Sequence, residues 1–239
     1  MVGIVIQGPT DFCKRIVDFY SGEAIQKDAV VVCSTWKNEP EENLEYISNS
    51  PINLVTTELP SFSGYLNVNY QVVSTLEGIK FLETLGVKTI IKIRSDIVWE
   101  GIEGMFDHFS DKNISFLNLN NRAKHEVKDW QNYYLDYKHV YQDFPSDHVI
   151  AGNLICLKDT FSFLVGEKNN IPPESLILHS YLSKFSTSTS FATMNLFHAG
   201  VDLFAIKAER MKNKIIWLKN NWELVSLSFN PAEKYIISL

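Results

Sequence analysis

Strand-like and helix-like segments alternate through residues 1–96, and this alternation limits the fold more than any other feature of the sequence. Apolar residues recur every three or four positions across 67–85, and Gly86 follows them, which predicts a helix. Short apolar segments that stop at polar or turn-forming residues predict buried strands at 2–6, 29–33, 52–55 and 87–93. The alternation predicts an α/β fold with a mainly parallel central sheet flanked by helices.

The rest of the chain is less regular. Apolar runs predict further strands at 115–119, 149–157 and 215–218, and Pro172 predicts the start of another helix. Near the N-terminus, Thr10 or Asp11 is the expected start of the first helix. No internal repeat and no linker divides the sequence, so we expect a single domain over residues 1–239.

Charge and cysteine content exclude several classes of protein. The formal net charge is −6, which makes a nucleic-acid partner unexpected because phosphate neutralisation dominates duplex binding. The three cysteines have no C-x-x-C spacing, so neither a disulfide framework nor a zinc knuckle is indicated. There is no basic segment before the first apolar stretch, and no apolar run approaches the roughly 18–20 residues of a membrane span. We expect a cytoplasmic protein, soluble or peripheral at a membrane.

Polar clusters follow three of the predicted strands, at the ends where ligands bind in open α/β sheets, and a fourth cluster lies just before the strand predicted at 149–157. Four clusters are expected to meet at one edge of the sheet: Gln7-Gly8-Pro9-Thr10, Ser34-Thr35-Trp36-Lys37, Arg94-Ser95-Asp96 and Ser146-Asp147-His148. The first offers a glycine for close backbone approach and an amide that could read a base or ribose, although a Gly-Pro turn after a strand is also ordinary. Thr35 and Trp36 could contact a base or sugar, with core packing as the alternative for Trp36.

Arg94 and Asp96 are candidates for binding a metal diphosphate. Asp96 could hold Mg²⁺ or Mn²⁺ with phosphates completing the shell, and Arg94 could bind a phosphate through both arms of its guanidinium. The alternative is an ion pair at the strand end, with Asp96 capping the next turn. The sequence does not separate these two interpretations.

Asp147 and Glu174 are the candidate general bases. Either could take a proton from an acceptor hydroxyl within hydrogen-bond reach. Glu174 lies in the first turn of a predicted helix, where any acid is favoured by the helix dipole. Asp147 precedes a predicted buried strand, so the sequence favours Asp147.

Four segments in fixed order carry a family resemblance: Gly3-Ile4-Val5-Ile6-Gln7-Gly8-Pro9, Ser34-Thr35-Trp36-Lys37, Asn67-Val68-Asn69-Tyr70-Gln71 with Ser74-Thr75, and Lys92-Ile93-Arg94-Ser95-Asp96. The set resembles the WavE lipopolysaccharide synthesis family of bacterial proteins, which is grouped with GT-A-type glycosyltransferases. The match continues more weakly at Pro145-Ser146-Asp147 and Pro173-Glu174, and nothing after about residue 185 is recognised.

The resemblance implies a single GT-A-like, Rossmann-like domain that uses a nucleotide-sugar donor, with a UDP-sugar expected. Residues 1–100 would bind the nucleotide and residues 101–239 the acceptor, an oligosaccharide or lipid-linked saccharide. It further implies that the nucleotide is contacted by Gln7, Gly8, Pro9, Asn69 and Gln71. Asp96 would be the last acid of a D-x-D motif, and Arg94 stands where that motif has its first acid, so the resemblance leaves metal dependence open.

The expected activity is therefore hexosyl transfer in lipopolysaccharide, lipooligosaccharide or capsule assembly, with peripheral contact at the cytoplasmic face of the inner membrane as an option. One alternative is a non-catalytic, degenerate GT-A domain that binds a nucleotide sugar or a partner enzyme. Another is a nucleotidyltransferase on a similar fold. Loss of the first acid favours the non-catalytic alternative, whereas polar residues at four separate strand ends favour an enzyme.

Overall fold

The computed structural model describes residues 1–110, 112–118, 145–164, 173–185, 201–204, 214–217 and 222–224. Its strands are β1 (Val2–Gln7), β2 (Ala29–Trp36), β3 (Asn53–Thr57), β4 (Thr89–Arg94), β5 (Ile97–Glu100), β6 (Ile114–Asn118), β7 (Pro145–Asn153), β8 (Val201–Phe204), β9 (Lys214–Trp217) and β10 (Trp222–Leu224). Seven of them form one sheet in the order β3-β2-β1-β4-β7-β6-β8, in which only β7 runs antiparallel to its neighbours. The predicted α/β fold with a mainly parallel sheet is confirmed.

The α-helices are α1 (Cys13–Tyr20), α2 (Glu23–Gln26), α3 (Glu41–Ser48), α4 (Val68–Thr84), α5 (Phe106–Phe109), α6 (Leu154–Phe163) and α7 (Pro173–Phe185). Short 3₁₀ turns at Tyr65–Asn67 and Ile102–Met105 precede α4 and α5. A small second sheet, β10-β9-β5, pairs residues that follow β4 with residues near the C-terminus. No helix of the described residues has the length and apolar character needed to cross a membrane.

Each face of the large sheet carries its own core because successive strand side chains point to opposite sides. In β1, Ile4 and Ile6 pack toward α1, whereas Val5 packs toward α4. The helix α4 lies close to the sheet at Gly78, where an added Cβ would be 2.6 Å from Val5 Cγ1. This close packing fixes the N-terminal half of α4 above the carboxyl ends of the strands.

Two local predictions are wrong. The first helix begins at Cys13 and not at Thr10 or Asp11, because the Thr10 hydroxyl bonds Glu39 and does not cap the helix. The strand predicted at 149–157 ends at Asn153, whose side chain accepts hydrogen bonds from the backbone N–H groups of Ile155 and Cys156 and so starts α6. An apolar run that passes from a strand into a buried helix gives no change of pattern at the boundary.

Candidate active site

The carboxyl ends of β1 and β4 lie side by side where the strand order of the sheet reverses. The chain builds outward from β1 through β2 to β3 and then returns to place β4 on the other side of β1. Gln7 and Arg94 are register partners at these two strand ends. Ligands of open α/β sheets bind at such a reversal, so the candidate site is centred on this pair.

Gly8 makes the turn out of β1 in a conformation that favours glycine. Its φ is +131°, and an added Cβ would lie 2.6 Å from Ser95 Oγ. The Gly8 N–H donates to Ser34 O at 3.3 Å, and the Ser95 N–H donates to Gln7 O at 2.8 Å. The turn is therefore bound to the ends of both neighbouring strands and leaves no room for a side chain.

The loop after β1 has no spare backbone donor from Gly8 to Thr10. Gly8 is bonded to Ser34, Pro9 has no N–H, and the Thr10 N–H donates to Glu39 Oε2 at 2.8 Å. Gln7, in contrast, keeps a buried side-chain oxygen that has no hydrogen-bond partner. A buried amide oxygen without a partner is unusual and can accept a hydrogen bond from a ligand. With this acceptor and no spare backbone N–H, the loop suits a nucleoside better than a phosphate.

Arg94 and Asp96 form a bidentate ion pair at the end of β4. Arg94 Nε donates to Asp96 Oδ1 at 3.0 Å, and Nη2 donates to Asp96 Oδ2 at 2.8 Å. Across residues 1–110 and the other described ranges, no group of three or more His, Cys, Asp and Glu side chains is arranged so that it could hold a metal ion. Because both oxygens of Asp96 already accept from Arg94, the residues at this strand end do not fit a preformed metal site. Metal binding by Asp96 stays a prediction.

Asp147 is the centre of a buried polar cluster beneath Arg94. Gln71 Nε2 donates to Asp147 Oδ2 at 2.5 Å, and Arg94 Nη1 lies 3.9 Å from the same oxygen. His148 Nδ1 is 3.4 Å from Asp147 Oδ1. Lys92 Nζ donates to the backbone oxygen of Asp147 at 2.5 Å. Asp147 and Lys92 are 3% and 0% exposed, so these charges are removed from water and depend on one another.

A β-bulge directs Asp147 into this cluster. Phe116 of β6 pairs with Ile150 of β7. The next residue of β6, Leu117, pairs with Ser146, so residues 147–149 are inserted in β7 relative to β6. Val149 and Ala151 face the α1 side of the sheet, and regular alternation would turn Asp147 to that side too. The bulge instead turns Asp147 toward α4, where it meets Gln71.

The pKa values of the two candidate bases move in opposite directions. Burial alone would raise the pKa of Asp147, but the charges of His148, Arg94 and Lys92 and the hydrogen bond from Gln71 hold it well below its usual range. Burial and the adjacent charge of Asp147 raise the pKa of Glu174 to about 8. At pH 7 the pair therefore holds one proton, mainly on Glu174.

The structure brings together some of the predicted residues and separates others. Gln7, Gln71, Arg94, Asp96, Asp147 and Glu174 belong to one connected region. Asn69 is near but holds the loop before α4, since its Nδ2 donates to Phe62 O at 3.1 Å. Thr35 is buried on the opposite face of β2 from Ser34, whose hydroxyl donates to Ser74 O in α4. Trp130, Tyr133, Tyr134, Tyr137 and Tyr141, which would form an aromatic stripe if helical, and His198, a possible metal ligand, lie outside the described residues.

Lys92 is the residue of the cluster that sequence reasoning missed. It is fully buried in β4, and burial lowers its pKa to about 8 although Asp147 favours the charged form. The signal that could have found it is a lysine in an otherwise apolar strand, because lysine is almost never fully buried unless it is paired.

Neither a protein-family model nor a curated protein matches the sequence. Among solved structures, 4-diphosphocytidyl-2C-methyl-D-erythritol synthase from Anaerococcus prevotii matches with a TM-score of 0.52 and 9% identity, over 88% of this chain and 90% of that chain. Two other solved structures match with lower TM-scores. One is a cytidylyltransferase from Leptospira borgpetersenii, with a TM-score of 0.44 and 14% identity over 85% of this chain and 75% of that chain. The other is core-mannan synthase A from Aspergillus fumigatus, with a TM-score of 0.43 and 8% identity over 98% of this chain and 80% of that chain. The likeness to the synthase confirms the fold as GT-A-like and nucleotidyltransferase-like.

Proposed function

We propose that this protein is a nucleotide-sugar-dependent glycosyltransferase that works in the assembly of a bacterial surface polysaccharide. One observation carries the proposal: Gly8, with its side-chain-free turn, and Arg94, with its buried polar cluster, meet at the reversal point of the sheet. The membership of the WavE family, the lipopolysaccharide or capsule context and the lipid-linked or oligosaccharide acceptor rest on the sequence resemblance. Contact with the inner membrane rests on the same resemblance.

In this proposal the two strand ends bind different parts of the donor. The Gln7 amide oxygen and the turn at Gly8 receive the nucleoside of a UDP-sugar. Arg94 binds the diphosphate, exchanging its bidentate contact with Asp96 for one with phosphate oxygens. A guanidinium held there by Asp147 stabilises negative charge on the leaving nucleoside diphosphate, and in many enzymes such stabilisation contributes more to catalysis than any other effect.

Proton transfer from the acceptor is assigned to Glu174. The sequence favours Asp147, but a carboxylate whose pKa is held far below its usual range is a weak base. Glu174, with a pKa of about 8, changes protonation near neutral pH, where a general base is most effective. Asp147 then acts by holding Arg94 and Gln71.

A nucleotide panel tests this function. Full-length protein is assayed by thermal shift with UDP, GDP, CDP and their sugar derivatives, with and without Mn²⁺, because a ligand that binds only the folded state raises its stability. We expect one nucleotide to stabilise wild-type protein and to stabilise Arg94→Lys much less, since lysine keeps the charge but loses the planar fork. Arg15→Lys, at an exposed position in α1, is the control.

Product-release assays with the same nucleotides separate the alternatives. Binding of a sugar nucleotide without release of nucleoside diphosphate in the presence of saccharide acceptors would identify a non-catalytic binding domain. Release of pyrophosphate from a nucleoside triphosphate and a sugar phosphate would identify a nucleotidyltransferase. If no nucleotide stabilises the protein, the proposed function is wrong.

A further inference from the structure

Two side chains from the segment after β2 hold the loop that follows β1. Glu39 Oε2 accepts hydrogen bonds from the Thr10 N–H at 2.8 Å and from the Thr10 hydroxyl at 2.5 Å. Asn43, in α3, donates through Nδ2 to the Thr10 hydroxyl and backbone oxygen at 3.1 and 3.3 Å. Four contacts thus converge on a residue that is 2% exposed. We call Thr10, Glu39 and Asn43 the loop clasp.

The loop clasp fixes the far end of a segment whose near end is Gly8. Gly8 donates to Ser34 O and packs against Ser95. Between the two fixed ends lies Pro9, whose ring restricts its φ. With both ends held and the middle residue restricted, the backbone from Gly8 to Thr10 has little freedom to move.

A local role alone does not account for the loop clasp. An acid whose only role was to stabilise the N-terminus of α1 could lie in the first turn of that helix, where it would interact favourably with the helix dipole. Glu39 instead comes from 29 positions away in the sequence and bonds both donors of one residue. Contacts of this kind between two strand ends are suited to holding a ligand-binding loop in its bound conformation before the ligand arrives. Such preorganisation lowers the entropic cost of ordering the loop on binding.

We propose that Glu39 and Asn43 are positioning residues for nucleotide binding: through Thr10 they keep the Gly8 turn in the shape that receives the nucleoside of the donor. The inference rests on the proposed function, because the held turn is the part of the site that meets the nucleoside. Glu39 does not touch the donor itself and acts only through Thr10.

A double-mutant cycle on the full chain tests the proposal, with UDP as the probe in isothermal titration. Thr10→Val and Glu39→Ala should each weaken UDP binding about tenfold. The double variant should bind about as weakly as Glu39→Ala, because both changes remove the hydrogen bond between the Thr10 hydroxyl and the Glu39 carboxylate. Thr10→Ser and Glu39→Gln keep the hydroxyl donor and an oxygen acceptor, so both should bind within about threefold of wild type. Glu45→Gln removes a charge from an exposed position of α3 and is the matched control.

Amide hydrogen exchange of residues 8 and 10–12 gives a second readout that does not depend on a ligand, and it should accelerate in Glu39→Ala. If wild type binds UDP and all variants bind it equally well, the positioning role is wrong while the proposed function stands. Tighter UDP binding by Glu39→Ala would mean that the Glu39 carboxylate competes with the ligand, and would also overturn the proposal. If wild type binds none of UDP, GDP and CDP, the proposed function fails and this inference fails with it.

Discussion

Lys92 Nζ donates a hydrogen bond to the backbone oxygen of Asp147 over 2.5 Å and so joins the middle of β4 to the bulge of β7. The contact places a buried ammonium group below the site that Arg94 and Asp147 form. Burying the charged ammonium group costs more free energy than burying the neutral amine. The contribution of Lys92 to the free energy of unfolding therefore depends on its protonation state.

Lys92 should make the free energy of unfolding increase between about pH 8 and 10.5. Its pKa is lowered to about 8 in the folded protein from 10.5, so over this interval the unfolded state binds more protons and stability rises with pH. The contribution is on the order of 3 kcal/mol. Urea unfolding of wild type and Lys92→Met from pH 7 to 10 measures it, with exposed Lys88→Met as the control. A difference between wild type and Lys92→Met that does not change with pH would contradict the shift.

Glu174 should make the free energy of unfolding decrease as the pH rises from about 4.5 to 8, which is opposite to the effect of Lys92. Its pKa is raised to about 8 from 4.5, so its favourable contribution is complete below pH 4.5 and is lost as the pH rises through 8. Glu174→Gln resembles the protonated acid and should abolish this decline, which makes the variant more stable than wild type at pH 8. Chemical denaturation at pH 5, 6, 7 and 8 decides the matter, and a variant less stable than wild type at every pH would exclude a protonated Glu174.

The two carboxylates should also differ in transfer assays. If Glu174 is the general base, as proposed, Glu174→Gln should lower kcat by a factor of about 10² to 10⁴ and leave donor affinity nearly unchanged. The wild-type rate should rise as the pH increases toward about 8, because the base acts in its ionised form. Full activity of Glu174→Gln together with an inactive, donor-binding Asp147→Asn would return the role to Asp147.

Asp147→Asn should be strongly destabilising. It keeps an oxygen for Gln71 but leaves Lys92 and Arg94 with one buried carboxylate fewer, and breaking a buried pair in this way typically costs about 3–5 kcal/mol. Guanidinium unfolding at pH 7 provides the measurement, and Asp107→Asn at an exposed position provides the comparison. A loss equal to that of the exposed control would show that Asp147 does not hold the cluster together.

Gly8→Ala should cost stability and nucleotide affinity together. The new Cβ would meet Ser95 Oγ at 2.6 Å at a φ of +131°, and strain of this kind costs about 1–3 kcal/mol. Gly8→Ala combined with Ser95→Ala removes the contact with Oγ and should recover part of the loss. Gly104→Ala, where an added Cβ meets nothing within 4 Å, should leave the melting temperature unchanged or raise it. A Gly8→Ala protein that melts and binds like wild type would show that the turn tolerates a side chain.

Much of the fold follows from the sequence because strand and helix patterns are local. Apolar runs locate β1, β2, β3 and β4 to within a few residues, and the apolar spacing locates α4. The strand ends are predicted with them, since polar residues follow each run, and parallel strands bring their carboxyl ends to one edge. Gln7 and Arg94 are therefore expected at the same edge, and they are register partners there.

Only the tertiary structure decided which of these groups bond to one another and in which charge state. The spacing of Arg94 and Asp96 allows either a metal ligand or an ion pair, and the distances show both carboxylate oxygens bonded to Arg94. Asp147 reaches Gln71 and Lys92 because of a bulge in the pairing of β6 and β7, and its charge raises the pKa of Glu174 from another element. Such effects arise between residues far apart in the chain. They depend on strand order, register and burial, which the sequence does not encode at any one position.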